Sequence, residues 1–179
     1  MNPIITRNAG RFVILLFLQV LVINHLQMSS LVTPFIYVLA ILLLPINTSR
    51  WLLLVVAFVY GFFLDIFAGT MGLNMSAALV MAFIRPLLLE MITFGRELDE
   101  TDSPSIRTLG LDWFLAYASV MIVIHHATLF FLETFRFTEL ATTMLRTFYS
   151  SVVTLLLVVL WQFLFAFRRV RRSRGSTAA

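Results

Sequence analysis

The chain has 179 residues, of which 60% are hydrophobic and 12% charged, and its formal net charge is +4. A soluble domain is about half apolar and about 25% charged, a soluble sphere of this size cannot hide so much apolar surface, and disordered chains lack apolar residues. An integral membrane protein remains, in agreement with a mean hydropathy of +0.96.

Charge-free stretches, at about 20 residues per crossing, predict a single all-α domain over 1–179 with six transmembrane helices. The first lies at about 10–27, after Arg7 and Arg11. No small-x-small cleavage site follows it, so it reads as a retained span and not as a signal peptide. A polar turn, Asn24 to Ser30, leads to a second span at about 31–46. Pro34 falls in its first turn, where a missing N–H costs nothing, and Pro45 closes it. The third span covers about 49–68 and the fourth about 73–93, joined by Gly69-Thr70-Met71-Gly72. In the long polar stretch that follows, Ser103-Pro104 reads as a helix cap and first helical residue. The fifth span covers about 110–132 and the sixth about 145–167, before a basic tail over 168–179.

All 13 basic residues are Arg, and there is no Cys. Disulfides, thiol chemistry and Cys-type zinc sites are therefore excluded. Arg7, Arg11, Arg50, Arg96, Arg107, Arg168, Arg169, Arg171, Arg172 and Arg174 fall on one side of the predicted topology. Only Arg136 and Arg146 fall on the other. This asymmetry points to cytoplasmic termini and not to a nucleic-acid patch. The tail arginines read as a topology anchor and a contact for anionic lipid, at about 1 kcal/mol per charge.

Polar groups inside a bilayer are expensive and mark function by default. Here they are Gln19, His25, Asp65, Asn74, Arg85, His125 and His126. A helical rise of about 1.5 Å per residue puts His25, Asp65, His125 and Thr154 in one layer, with Gln19 and Arg85 together in a lower one. Asp65 and Arg85 are thus too far apart in depth to pair. Asp65 reads either as a packing residue that bonds a neighbouring helix or caps a turn, or as a contact for a partner or ligand, with an imidazole or amide donor from the first or fifth span. Pro86 frees a carbonyl near Ala82, and Arg85 is expected either to bond it or to snorkel toward the head groups. The histidines read as hydrogen-bonded imidazoles between helices; adjacent His125 and His126 face about 100° apart, which disfavours a metal site. Glu133 and Arg136 read as an exposed pair. No Walker loop, HExxH, Ser elbow or paired carboxylates occur, so neither enzyme activity nor a cofactor or metal is expected.

Gly61, Asp65 and Gly69 recur every four residues on one helix face, where small side chains permit close helix approach. Gly72 follows in the turn. This stretch resembles the signature of the rod shape-determining protein MreD family, small six-span proteins of the bacterial inner membrane. Gly72 to Ala78 followed by Arg85-Pro86 is similar to a Bacteroidetes-type branch. Pro34, the chain length and the basic tail agree; the turn is shorter than the commoner spacing. The resemblance implies a non-catalytic scaffold of the cell-elongation machinery that binds MreC. MreB, RodA and an elongation penicillin-binding protein belong to the same complex. It also implies a fold similar to the substrate-binding component of energy-coupling-factor transporters, which makes a vitamin-binding transporter subunit the alternative. Those subunits carry an Ala-x-x-x-Ala motif in the first span, and Phe12 to Leu26 contains no Ala.

Overall fold

The computed structural model describes residues 3–23, 31–93, 103–135 and 139–173, with side chains over 8–23, 31–93, 103–135 and 139–165. These residues form helices α1 (Pro3–Leu21), α2 (Val38–Leu42), α3 (Arg50–Ala68), α4 (Leu73–Ile92), α5 (Ile106–Leu109), α6 (Leu111–Thr134) and α7 (Leu140–Ser173). Four of them are long and apolar enough to cross a membrane: α3, α4, α6 and the Leu140–Phe165 part of α7. A shorter apolar stretch, Asn8–Leu21, lies in α1. The outer faces are just as apolar. Val55, Phe58, Phe62 and Ile66 on α3, Phe83, Leu87 and Met91 on α4, and Leu156, Leu160 and Phe163 on α7 are all exposed. Such a belt is a liability in water and the normal surface in hydrocarbon. The chain is a helical, multi-pass membrane protein.

Helices α3, α4, α6 and α7 pack side by side, each antiparallel to the one before. The end carrying the Gly69–Gly72 turn is taken as the upper end. Tyr60 ties α3 to α1: its ring lies 4.7 Å from that of Phe12 and its hydroxyl donates to the Phe12 carbonyl.

The second predicted span takes a different form. Instead of a helix over 31–46, only Val38–Leu42 is α-helical. The segment from Pro34 to Leu44 is nonetheless wholly buried. It descends through the middle of the bundle, meeting α7 and the upper half of α1 at its start and α4, α6 and the lower half of α1 at its end. The two prolines explain the break. Each disfavours helical geometry in the residue before it, and Pro34 has no N–H to give. Non-helical backbone at membrane depth is tolerated only where protein satisfies it, and here side chains do so. Thr33 N–H donates to Ser150 Oγ, and Phe35 N–H to Thr154 Oγ1. Gln19 Nε2 donates to the Pro34 carbonyl and Arg11 Nη1 to that of Leu43.

Other boundaries shift less. Helix α1 begins and ends earlier than the predicted 10–27, and α7 begins earlier and ends later than 145–167. The cap in the polar stretch is Ser105, not Ser103. Ser105 and Thr108 bond each other's backbone N–H in a capping box, and α5 starts after it. Gly110, at φ 89°, then turns the chain into α6.

Candidate functional site

The upper site is built on the α3–α4 hairpin. Gly61 makes the hairpin possible, because a Cβ there would lie 2.4 Å from Met75 Cα and 2.9 Å from Met75 N. Only a glycine lets α4 start this close to α3. One turn further up α3, Asp65 is buried and reaches the start of α4. Its Oδ1 accepts from Asn74 N–H and Asn74 Nδ2, both at 3.0 Å, and from Thr70 Oγ1. Its Oδ2 accepts from Met75 N–H at 2.9 Å. These backbone donors are among the four that a helix start leaves unpaired, and the carboxylate also sits at the positive end of the α4 dipole. The donors come from the turn and α4, in line with the packing-and-capping reading of Asp65, and not from the first or fifth span.

Gly69 does not share that contact. It is exposed, nothing lies within 4 Å of where its Cβ would be, and its φ of 67° closes α3 in the left-handed conformation. Gly72, at φ 82°, caps α4 in the same way. Both are turn glycines, while Gly61 alone of the three meets the neighbouring helix.

From Asp65 a polar chain crosses the bundle. Asn74 Oδ1 accepts from the Tyr37 hydroxyl at 3.4 Å, and Tyr37 in turn meets His125 Nε2. Beside it, His126 Nδ1 bonds the Ile122 carbonyl at 2.9 Å and its Nε2 faces Thr154 Oγ1 at 3.2 Å. Since a carbonyl only accepts, the proton of His126 is assigned to Nδ1. Thr154 then donates to Nε2 and accepts from Phe35 N–H. Phe35 packs edge-on against both imidazoles, at 5.6 and 5.5 Å. Asp65 and His125 thus belong to one hydrogen-bonded chain, and Thr154 to the His126 pair packed beside it across Phe35, at the common level their predicted depths suggested. His25 of that predicted layer lies outside the described residues. His125 Nδ1 is buried and has no hydrogen-bond partner among the described residues.

The lower site centres on Arg85, which is 1% exposed. Its Nη2 donates to the Leu44 carbonyl at 2.5 Å and approaches those of Leu42 and Pro45 at 3.5 Å. Its Nε donates to the Tyr117 hydroxyl at 2.9 Å, which donates on to the Leu42 carbonyl at 3.2 Å. Arg85 therefore neither snorkels nor bonds near Ala82. It closes the open end of α2, where carbonyls lack helical partners and the dipole is negative. Pro86 sits inside α4 without ending it. Nor do Gln19 and Arg85 share a level. Arg11 meets Leu43 beside the Arg85 cluster, and Gln19 lies two turns higher at Pro34, because α1 begins below Arg11.

Near the top of α6, Glu133 pairs with Arg146 at 3.2 Å, and the Arg146 guanidinium lies 4.4 Å from the Phe130 ring centre. Arg136, its predicted partner, lies outside the described residues. The tail from Arg168 through Arg172 continues α7 as backbone, and Arg174 lies beyond the described residues. Sequence reasoning missed Tyr37, Tyr117, Thr70 and Ser150. The two tyrosines sit in apolar runs and carry no motif; Thr70 and Ser150 read as turn and helix filler.

No protein-family model, curated protein or solved structure matches the chain.

Proposed function

We propose that the chain is a non-catalytic membrane scaffold of the MreD kind, serving bacterial cell elongation and binding MreC in the inner membrane. The observation that carries this reading is the folded form of the resembling motif. Gly61 and Asp65 lock α3 onto the start of α4 and hold the turn glycines at the upper end. Beside that lock, Phe62, Ile66, Met71 and Met75 line an open crevice of about 510 Å³ against Asp65. A rigid, largely apolar crevice of this kind suits a partner's transmembrane helix. In this reading the chain crosses the membrane six times, with both termini cytoplasmic. The buried segment from Pro34 to Leu44 is the second crossing, and the arginine asymmetry supports the orientation.

The test is co-purification from native membranes with mass spectrometry of bound proteins and small molecules. MreC should be recovered with the wild type, and recovery should fall in Ile66→Ala and Met71→Ala, both exposed in the crevice. Recovery of a vitamin without elongation proteins would overturn the scaffold and favour the transporter subunit.

A further inference from the structure

A second groove lies at the lower end, between the start of α3 and the last turns of α4. It has a volume of about 430 Å³, and its apolar wall is formed by Leu54, Ala82, Phe83, Pro86 and Leu87. Arg50 and Glu90 also line it, one from each helix. Neither makes an ion pair with any described residue. Trp51, 82% exposed, stands at the same end, where an indole marks the boundary between hydrocarbon and head groups.

The charges in this groove are ordered by the fold. Arg50 is the first residue of α3, so its positive charge adds to the positive end of that helix dipole. Glu90 lies in the last turn of α4, so its negative charge adds to the negative end of an antiparallel helix. One wall of the mouth is therefore positive and the other negative. The cleft below is apolar, and Phe83 and Leu87 are open to the bilayer.

We propose that this groove is a binding site for a phospholipid whose head group carries both a phosphate and a primary ammonium, the phosphatidylethanolamine class. Arg50 and the N–H groups at the start of α3 take the phosphate. Glu90 and the carbonyls ending α4 take the ammonium, and an acyl chain lies along Leu54, Phe83 and Leu87. A choline head group offers no N–H to Glu90. A glycerol head group offers no cation, and its net negative charge meets Glu90.

The experiment is native mass spectrometry of the purified protein with an equimolar mixture of phosphatidylethanolamine, phosphatidylcholine and phosphatidylglycerol of identical acyl chains. Phosphatidylethanolamine should be retained over both others, about fivefold over phosphatidylglycerol, the factor one interfacial charge contributes, and over phosphatidylcholine through the N–H bond to Glu90 that choline cannot make. Arg50→Gln should lower retention of all three. Glu90→Gln should remove the preference for phosphatidylethanolamine while leaving phosphatidylglycerol bound. Both side chains lie outside the packed core, so unchanged thermal stability in detergent accompanies these shifts. A photo-crosslinker at Leu87 in native membranes should capture lipid. Equal retention of the three lipids, a phosphatidylglycerol preference insensitive to Glu90→Gln, or capture of a protein at Leu87 would overturn the proposal.

Discussion

Replacing Arg85 with Met tests how the buried central segment is held. The substitution keeps an apolar side chain of similar reach inside the core and removes every donor. The Leu44 carbonyl then loses its only hydrogen bond among the described residues, one formed at 2.5 Å with a charged donor. Tyr117 loses the donor at 2.9 Å that orients its hydroxyl toward Leu42. Hydrogen bonds to charged groups contribute about 1.5–3 kcal/mol each, so these two sum to about 3–6 kcal/mol. Relief of the buried guanidinium's desolvation offsets part of this, leaving a net loss of about 3 kcal/mol. At about 2–4 °C per kcal/mol for a chain of this size, the melting temperature in detergent should fall by about 6–12 °C. Arg85→Lys should fall by less, since one ammonium still reaches Leu44 but cannot also serve Tyr117. Thermal unfolding followed by size-exclusion chromatography gives the readout. An Arg85→Met protein that melts with the wild type would show that the carbonyls ending α2 do not depend on this side chain.

Two further outcomes concern the hairpin. Gly61→Ala should cost about 1–3 kcal/mol, because the new methyl meets Met75 backbone; Gly69→Ala should cost about 1–2 kcal/mol from its positive φ alone, and Gly69→Asn should recover most of that, all read as melting temperatures. Asp65→Asn should destabilise less than Asp65→Leu, because an amide oxygen in the place of Oδ1 keeps three of the four accepted bonds and leaves only the Met75 N–H facing an amide donor, while Leu removes all four; a melting temperature for Asp65→Asn as low as for Asp65→Leu would contradict this.

The long helices were legible because hydropathy, length and turn residues agree over Arg50–Ala68, Leu73–Ile92 and Leu111–Thr134. The second predicted span was not, for a physical reason. Composition over 31–46 is that of a transmembrane helix, and Pro34 and Pro45 each have an innocent place at a helix end. What tips the balance lies far away in sequence. Thr154 and Ser150 on α7, Gln19 and Arg11 on α1, and Arg85 and Tyr117 supply the bonds that a continuous helix would have made for itself. The depth estimate succeeded for Asp65 and His125, which were counted from helix starts that were placed well. It failed for Gln19 against Arg85, because it took Arg11 as the lower edge of a helix that begins at Pro3.

The two buried charges share one logic. Neither meets an opposite charge among the described residues: Asp65 is answered by N–H groups at the start of α4, and Arg85 by carbonyls at the end of α2. In each case the charge faces the helix end of opposite partial charge, where unpaired backbone groups must be satisfied in any event. A search of the sequence for side-chain partners therefore looks in the wrong place, since the partners are backbone atoms that composition cannot distinguish. This arrangement joins elements that hydropathy alone would leave free to slide. Asp65 fixes α4 against α3 at the top, and Arg85 fixes α4 against the central segment about 16 Å lower, from the 11 residues separating it from Asn74. With both charges consumed internally, what the rigid core holds outward is the apolar crevice beside Asp65 above and the Arg50–Glu90 groove below.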